Sequence, residues 1–217
     1  MHVLLTAGPT YEPLDPVRFL GNRSTGKMGY ALAAAFAEAG AEVTLISGPV
    51  HLAPPASPLV RTVRVETAQQ MYEAAAQMAS AADVWVFAAA VADYRPAVVA
   101  LDKIKKDGDT LTLKLVKNVD IAATLGQTKR PEQFAVGFAL ETTNELAHAL
   151  GKLQRKNFDL VVLNSLRDAG AGFGHDTNKV SVLDRAGQVL NFELQAKTEL
   201  ARVLVQLIQS RFAISHA

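Results

Sequence analysis

Residues 21–29 read GNRSTGKMG, and this stretch decides the fold because a glycine-containing turn leads directly into a helical pattern over residues 27–38. It comes close to the Walker A loop, G-x-x-x-x-G-K-[ST], but Met28 replaces the hydroxyl residue that ligates nucleotide-bound magnesium. Small residues at a helix start leave backbone N–H groups and the positive end of the helix dipole facing outward. The stretch therefore predicts an anion-binding turn that differs from that of a P-loop NTPase.

Composition limits the classes of protein to which the chain can belong. Its 217 residues suit one substantial α/β domain, and the hydrophobic fraction of 49% supplies a core. A net charge of +1 gives no support to nucleic-acid binding through bulk charge. The lack of cysteine excludes disulfides, thiolate metal sites and a cysteine nucleophile. With no basic region at the N-terminus and no apolar run long enough to cross a bilayer, we expect a cytoplasmic protein without membrane contact.

Short runs rich in β-branched residues alternate with helical patterns along most of the chain. The strand-like runs cover residues 3–5, 43–46, 63–65, 84–87, 134–138 and 160–163, and helical patterns cover 27–38, 68–80, 119–125 and 144–156. Gly40 is placed to end the first helix. This alternation predicts an α/β fold with a Rossmann-like, doubly wound, mainly parallel sheet and helices on both faces.

Two segments depart from the alternation. Asp107-Gly108 suggests a turn and residues 111–115 alternate with period two, so the segment of about 100–118 is predicted to be an inserted β-arm. A second hairpin is predicted for residues 179–194, with its turn near Ala186-Gly187, and an amphipathic helix follows over 196–212. Because no repeat or low-complexity linker interrupts the pattern, residues 1–217 are predicted to form a single domain.

The glycine turn and the alanine-rich helix behind it also resemble the opening of a dinucleotide-binding unit. Three features oppose that interpretation. Residues 7–10 after the first strand lack G-x-G-x-x-G, and Ser47 stands where an NAD site usually has an acidic residue. No Tyr is followed four residues later by Lys, as the acid pair of short-chain reductases requires. An NADP-dependent oxidoreductase is therefore the alternative hypothesis, and a nucleotide-sensing module without turnover is the non-enzymatic one.

Several polar or small residues have both a functional and a structural interpretation. Ala88–Ala90 and Asp93 follow the fourth predicted strand, where ligands of open α/β sheets gather, yet they also suit a tight packing segment. The basic run 103–106 suits a solvated hairpin face as well as an anion site. Lys152 and Lys156 lie four residues apart on one helix face, which is also the pattern of an ordinary surface pair.

Six motifs occur in an order and spacing that together resemble one family. They are DPVRF at 15–19, NRSTGKMG at 22–29, AAVADY at 89–94, KIKK at 103–106, VKNVDI at 116–121 and GFALET at 137–142. From about Leu4 to Phe212 the chain resembles phosphopantothenoylcysteine synthetase, the ligase of coenzyme A biosynthesis, in its bacterial form. In many bacteria this ligase follows a flavin-dependent decarboxylase, so the resemblance implies either a stand-alone ligase or one half of a bifunctional protein.

The resemblance implies a two-step reaction on three substrates: 4′-phosphopantothenate, L-cysteine and CTP. The carboxylate of phosphopantothenate would attack CTP to give an acyl-cytidylate and pyrophosphate, and the amine of cysteine would then displace CMP. Mg²⁺ is expected on the phosphates, with no protein ligand assigned. The family also implies a homodimer paired through the arm, and association with a separate decarboxylase is a further expectation.

The same resemblance assigns roles to individual residues. Asn22 and Lys103 would be catalytic, Asn22 at the acyl centre and Lys103 on a flap above the triphosphate, while Arg18 and Asn22 would contact the acyl substrate. A helix N-cap is the structural alternative for Asn22. The sequence departs from the family pattern where Val119 replaces a proline and Thr25 a serine, and neither change removes a group assigned to catalysis. The nucleotide would be bound by Ser24, Gly26, Ala88, Ala89, Ala90, Asp93, Lys103, Val119, Asp120, Ile121, Ala122, Phe138, Lys152 and Lys156.

Overall fold

The computed structural model describes residues 1–106, 108–141, 144–165, 172 and 174–215. The strands in these ranges are β1 (His2–Ala7), β2 (Tyr11–Pro13), β3 (Phe19–Gly21), β4 (Glu42–Ser47), β5 (Val60–Arg64), β6 (Val84–Phe87), β7 (Tyr94–Pro96), β8 (Leu115–Lys117), β9 (Phe134–Glu141), β10 (Leu160–Ser165), β11 (Thr177–Asp184) and β12 (Val189–Ala196). The helices are α1 (Lys27–Glu38), α2 (Ala68–Ala79), α3 (Ile121–Gly126), α4 (Glu145–Arg155) and α5 (Lys197–Ile214). None of these helices is long and apolar enough to cross a membrane.

Eight strands form one sheet in the order β5-β4-β1-β6-β9-β10-β11-β12. Neighbouring strands from β5 to β10 pair in parallel, and β11 and β12 add an antiparallel hairpin at one edge. From β1 the chain winds outward through β4 and β5, then returns to place β6 on the other side of β1. The predicted doubly wound sheet is confirmed, and its topological switch point lies between β1 and β6, where such folds bind ligands.

Helices cover both faces of the sheet because successive residues of the central strands point to opposite sides. Leu5 and Val86 belong to a core shared with α1 and α5, whereas Leu4 and Trp85 belong to a second core shared with α2, α3 and α4. All four of these strand side chains are almost fully buried. Each contributes about 2 kcal/mol to stability through burial of apolar surface. The helices on both faces therefore hold the central strands, whose ends carry the site, in fixed positions.

The arm differs from the predicted hairpin. β7 and β8 pair antiparallel, with Tyr94 opposite Lys117, but residues 111–114 are not a strand and Asp107 of the predicted turn lies outside the described residues. Leu111 and Leu113 are exposed and no described strand pairs with them. Period-two alternation is a property of a half-buried strand, and it gives no strand where the backbone has no partner.

The C-terminal hairpin of β11 and β12 confirms the second predicted hairpin, and Gly187 has the positive φ of 79° that its turn needs. A shorter hairpin that no sequence pattern predicts joins β2 to β3. Its strands are three residues long, and Tyr11 stacks on Phe19 with ring centroids 3.8 Å apart. This hairpin matters because it carries Arg18 beside the arm.

Candidate functional site

A cavity of about 730 Å³ opens at the carboxyl ends of the central strands, beside the switch point. That volume is ordinary for a site that holds a nucleotide-sized ligand. The structure brings most of the predicted site residues together here, although they come from five separate segments of the chain. The predicted residues that line the cavity are Asn22, Ser24, Gly26, Ala88, Ala89, Ala90, Asp93, Val119, Asp120, Ile121, Ala122, Phe138, Lys152 and Lys156.

The start of α1 forms one wall of the cavity. Gly26 is the N-cap, with a φ of 77°, and no side chain caps the helix, so the first backbone N–H groups of α1 remain available to a ligand. Ser24 Oγ accepts the N–H of Gly26 at 3.3 Å and shapes the turn. A Cβ at position 26 would lie 2.8 Å from Val50 Cγ1, so glycine is required both for the backbone angle and for the close packing. The predicted anion-binding turn therefore has the geometry of a helix N-terminal phosphate site.

The loop after β6 forms the floor. Ala90 makes an isolated parallel bridge with Pro9, and the Ala90 N–H donates to Gly8 O at 2.8 Å. Asn22 Nδ2 donates to Ala90 O at 2.9 Å. Asn22 is therefore not the N-cap of α1, because that position belongs to Gly26. Its amide is held at the edge of the cavity, where it can meet a ligand.

The wall formed by α4 carries two ammonium groups, each paired with a carboxylate. Lys152 Nζ lies 2.7 Å from Glu141 Oε1, and Lys156 Nζ donates to Asp120 Oδ1 at 2.9 Å. His148 Nδ1 is 3.3 Å from the other oxygen of Glu141. Burial alone would raise the pKa of Glu141, but the hydrogen bond and charge of Lys152, helped by His148, lower it. A phosphate group could replace Glu141 and Asp120 as the partner of these two lysines. This wall can therefore bind a phosphate chain.

The cavity lining also contains polar residues that were not among the predicted site residues. Lys27 pairs with Asp176 at 2.6 Å. Lys197 is 7% exposed and donates to the carbonyl oxygens of Gly172 at 3.0 Å and His175 at 2.6 Å, and its burial lowers its pKa, as does the nearby charge of Lys27. Lys27 belongs to the motif at 22–29 but was not assigned to the site. Lys197 reaches the cavity only through the β11–β12 hairpin, so local sequence carries no signal of it. The unpredicted lining side chains include Lys27, Asn164, Asn178 and Lys197.

Two predicted site residues lie outside the cavity lining. The guanidinium of Arg18 is engaged elsewhere: its Nε donates to Asp15 Oδ2 and its Nη2 to Ile104 O, both at 2.9 Å. Lys103 is exposed on the arm, next to Ile104. The structure thus brings Arg18 and the Lys103 segment to each other rather than to the cavity wall.

In the part of the chain that the structure describes, no three histidine or acidic side chains come together as a metal site. Mg²⁺ commonly binds through one or two carboxylates together with phosphate oxygens and water. The carboxylates of Asp93 and Asp120 border the cavity and suit that arrangement. A magnesium ion here would therefore arrive with its phosphate ligand.

Comparison with known proteins places the chain among relatives of greater length. Residues 1–212 match the model of the family described as DNA/pantothenate metabolism flavoprotein C-terminal domain. The coenzyme A biosynthesis bifunctional protein CoaBC of Vibrio cholerae is 44% identical over 211 residues, which are 96% of this chain and 52% of that protein. A cysteine/cysteine sulfinic acid decarboxylase from an unknown prokaryotic organism is 47% identical over 206 residues, 95% of this chain and 57% of its own length. The chain spans a little over half the length of these curated relatives.

Solved structures give the same picture of the fold. The crystal structure of the C-terminal domain of CoaBC superposes with a TM-score of 0.83 at 42% identity, and covers 98% of this chain and 95% of that chain. A Cab2 mutant in complex with phosphopantothenate-cysteine superposes with a TM-score of 0.78, over 99% of this chain and 87% of its own. At 18% identity the likeness to Cab2 shows the fold alone.

Proposed function

The chain belongs to the family of the DNA/pantothenate metabolism flavoprotein C-terminal domain, and we propose that it is the ligase that joins 4′-phosphopantothenate to L-cysteine with CTP. The family relationship predicted from the six motifs is confirmed by these matches. One observation carries the proposed activity: the uncapped start of α1, the amide of Asn22 and the lysines of α4 face one cavity. That set of groups suits a reaction between two anions.

In the first step a carboxylate oxygen of phosphopantothenate attacks the α-phosphorus of CTP. A bond forms between them, the bond from that phosphorus to the oxygen bridging to the β-phosphate breaks, and pyrophosphate leaves. Both reactants are anionic, so the backbone N–H groups of α1 and the ammonium groups of Lys152 and Lys156 neutralise charge as it develops. Removing one such donor from an active site typically costs about 3 kcal/mol. CTP would bind as its magnesium complex, with the carboxylates of Asp93 and Asp120 close to the metal, and the exposed ammonium group of Lys103 would contact the triphosphate from the arm.

In the second step the amine nitrogen of cysteine attacks the acyl carbon. The C–N bond forms, the C–O bond to the cytidylate breaks, CMP leaves with the electron pair, and the nitrogen releases a proton to water. The amide of Asn22 can donate to the acyl oxygen at this stage, and its bond to Ala90 O at 2.9 Å fixes its position. Asn22 thus serves the acyl centre rather than the nucleotide.

The oxidoreductase alternative is not favoured. Ser47 ends β4 where a dinucleotide site needs an acidic residue for the ribose, and it is buried in a 2.9 Å hydrogen bond with Tyr30. The loop after β1 bridges to Ala90 instead of forming a glycine-rich phosphate turn. A nucleotide sensor without turnover remains the rival hypothesis, because binding data alone would not distinguish it from the ligase.

The homodimer is part of the same proposal. The arm, the loop that leads into it and the β2–β3 hairpin expose apolar side chains: Leu101 is 95% exposed, Val98 82% and Val17 62%. Exposed apolar surface of this kind marks an interaction site, and a second copy of the arm is its proposed occupant. Light scattering should give a dimer for the wild type and a monomer for Leu101→Glu. A separate decarboxylase is proposed as a further partner, since CoaBC relatives about twice as long are named bifunctional.

The test is pyrophosphate release by the purified protein with CTP, Mg²⁺ and phosphopantothenate. Release should require both CTP and phosphopantothenate, and CMP should appear when cysteine is added. Thermal stabilisation by NADP but not by CTP would support the oxidoreductase instead. If CTP binds but no combination of the reactants releases pyrophosphate, the result would support the nucleotide sensor instead of the ligase.

A further inference from the structure

A buried carboxylate in the turn of the β2–β3 hairpin makes contacts that the reaction scheme does not use. The side chain of Asp15 is 0% exposed, and its Oδ1 accepts the N–H groups of Val17 and Arg18, both at 2.9 Å. Its Oδ2 accepts Arg18 Nε at 2.9 Å and the backbone N–H of Ile104 at 3.1 Å. Asp15 therefore stabilises its own turn through Oδ1 and is hydrogen-bonded to the arm through Oδ2.

Arg18 completes this connection from the other side. Its Nη2 is 2.5 Å from Asp15 Oδ2 and donates to Ile104 O at 2.9 Å. Both backbone polar groups of Ile104 are therefore bound, the N–H by the carboxylate and the carbonyl by the guanidinium. Nearby, Ala100 N donates to Leu14 O at 3.0 Å. We call the set formed by Asp15, Arg18 and the backbone of Ile104 the clasp.

We propose that the clasp positions Lys103 for the reaction, so that Asp15 and Arg18 act on catalysis through the arm. The inference rests on the proposed function, because it needs Lys103 to act on the triphosphate. The backbone of Ile104 is fixed at both polar groups, so the Cα of Lys103 one residue away is confined while its side chain stays exposed. Arg18 then has a role in addition to the substrate contact that the resemblance implies.

The charge state of the clasp supports a permanent anchor. The hydrogen bonds from Arg18 hold the pKa of Asp15 well below its usual range, although burial opposes them, and the N–H groups of Val17 and Ile104 act in the same direction. Asp15 is therefore anionic at every pH at which the enzyme would work. Bonds between ionised partners are shorter and stronger than neutral ones, so the clasp fixes one end of the arm.

Two changes break the clasp by different routes. Asp15→Asn removes the charge. Ile104→Pro removes the N–H that Asp15 accepts, and it also replaces a half-buried isoleucine side chain and restricts the backbone of Lys103. Each should lower kcat for pyrophosphate release at least about tenfold, since small misplacements of catalytic groups cost up to about 100-fold. Asp102→Asn, the same charge change at an exposed site of the arm, is the matched control and should keep the wild-type rate.

Hydrogen–deuterium exchange measures the anchor without using activity. Exchange of peptide 100–106 should rise in Asp15→Asn and Ile104→Pro and stay unchanged in Asp102→Asn. Unchanged exchange in both clasp variants would refute the clasp even if the enzyme is active. A wild type that releases no pyrophosphate would instead refute the proposed function, whatever the exchange shows.

A double-mutant cycle then separates positioning from a general structural role. In a Lys103→Gln background, Asp15→Asn should change kcat by less than about twofold, because the group it positions is gone. Losses that multiply in the double variant would overturn the proposal. If Asp15→Asn fails to fold, the same double-mutant cycle is measured with Ile104→Pro in its place.

Discussion

The floor of the cavity and the arm beside it are held by different kinds of contact. Beside the floor, where Pro9 bridges to Ala90, main-chain atoms of the loops after β1 and β4 approach so closely that side chains are excluded: a Cβ on Gly48 would lie 1.7 Å from Pro9 O. The arm is held at its base by a carboxylate–guanidinium pair and leaves Leu101 exposed. A residue in tight backbone packing cannot be substituted without loss of stability. A residue held by a few polar contacts can be substituted while the fold is kept. Substitutions in these closely packed loops should therefore act on stability, and those of the polar groups at the site and the arm on rate.

The largest effect should come from Gly48→Ala. The added methyl group would overlap Pro9 O and force the loops after β1 and β4 apart, a conflict that side-chain movement cannot relieve. We expect a loss of about 4 kcal/mol or more in the free energy of unfolding. Urea unfolding followed by circular dichroism would measure it.

Gly151→Ala is the control for that change. A Cβ on Gly151, within α4, meets only the end of the flexible Arg155 side chain, at 2.7 Å from Nη1. Alanine in a helix is favoured over glycine by about 0.5–1 kcal/mol, so stability should be equal or higher. Equal losses of stability in the two variants would contradict the distinction between the packed loops after β1 and β4 and a helix surface.

Asn22→Ala removes an exposed side chain at the edge of the cavity, which is hydrogen-bonded to Ala90 O but belongs to no packed layer. We expect turnover to fall about 300-fold, within the range for loss of one donor at a reacting centre, with the Kd for CTP unchanged. The thermal midpoint should stay within about 2 °C of the wild type. Calorimetric titration with CTP and a coupled pyrophosphate assay would separate the two quantities, and a weakened CTP affinity with normal turnover would contradict the role of Asn22.

Lys103→Gln should affect the arm alone. Pyrophosphate release should fall about 100-fold, because one cation no longer stabilises the negative charge that develops on the triphosphate. The free energy of unfolding should stay the same. Lys106→Gln makes the same change three residues further along the arm and is the control. Full activity in Lys103→Gln would show that the arm has no chemical part in the first step.

The smallest effect concerns the ion pair between Glu141 at the end of β9 and Lys152 on α4. The pKa of Glu141 is lowered in the folded state, so its contribution to stability is present above its unfolded pKa and is lost as pH falls through the folded value. Wild type should therefore exceed Glu141→Gln in stability by less than about 1 kcal/mol near pH 7. Urea unfolding at several pH values should show that difference shrinking below about pH 4. A difference that grows with acid would contradict the pairing.

Much of the fold could be predicted because its elements carry local signals. α1 begins and ends where glycines mark it, at Gly26 and Gly40, whose φ values are 77° and 81°. The β2–β3 hairpin could not be predicted, because three-residue strands show no period and are held by the Tyr11–Phe19 stack. The arm shows the opposite error, since residues 111–114 have a strand pattern but no strand to pair with.

The site divides in the same way. Residues within motifs, such as Ser24 and Asp93, were found because contiguous sequence carries them to the cavity. Lys197 was missed, since it reaches the cavity only after the β11–β12 hairpin places the start of α5 there. The placement of Arg18 beside Ile104 joins residues 86 positions apart, which no local pattern encodes.

The ion pairs on α4 have a consequence for how binding responds to ionic strength. Lys152 and Lys156 already have internal counterions, Glu141 and Asp120, before any nucleotide arrives. Binding therefore exchanges a protein anion for a phosphate instead of releasing ions from bulk solution. The Kd for CTP should consequently change less steeply with added salt than two bare lysines would require, so affinity would vary little with the salt content of the medium.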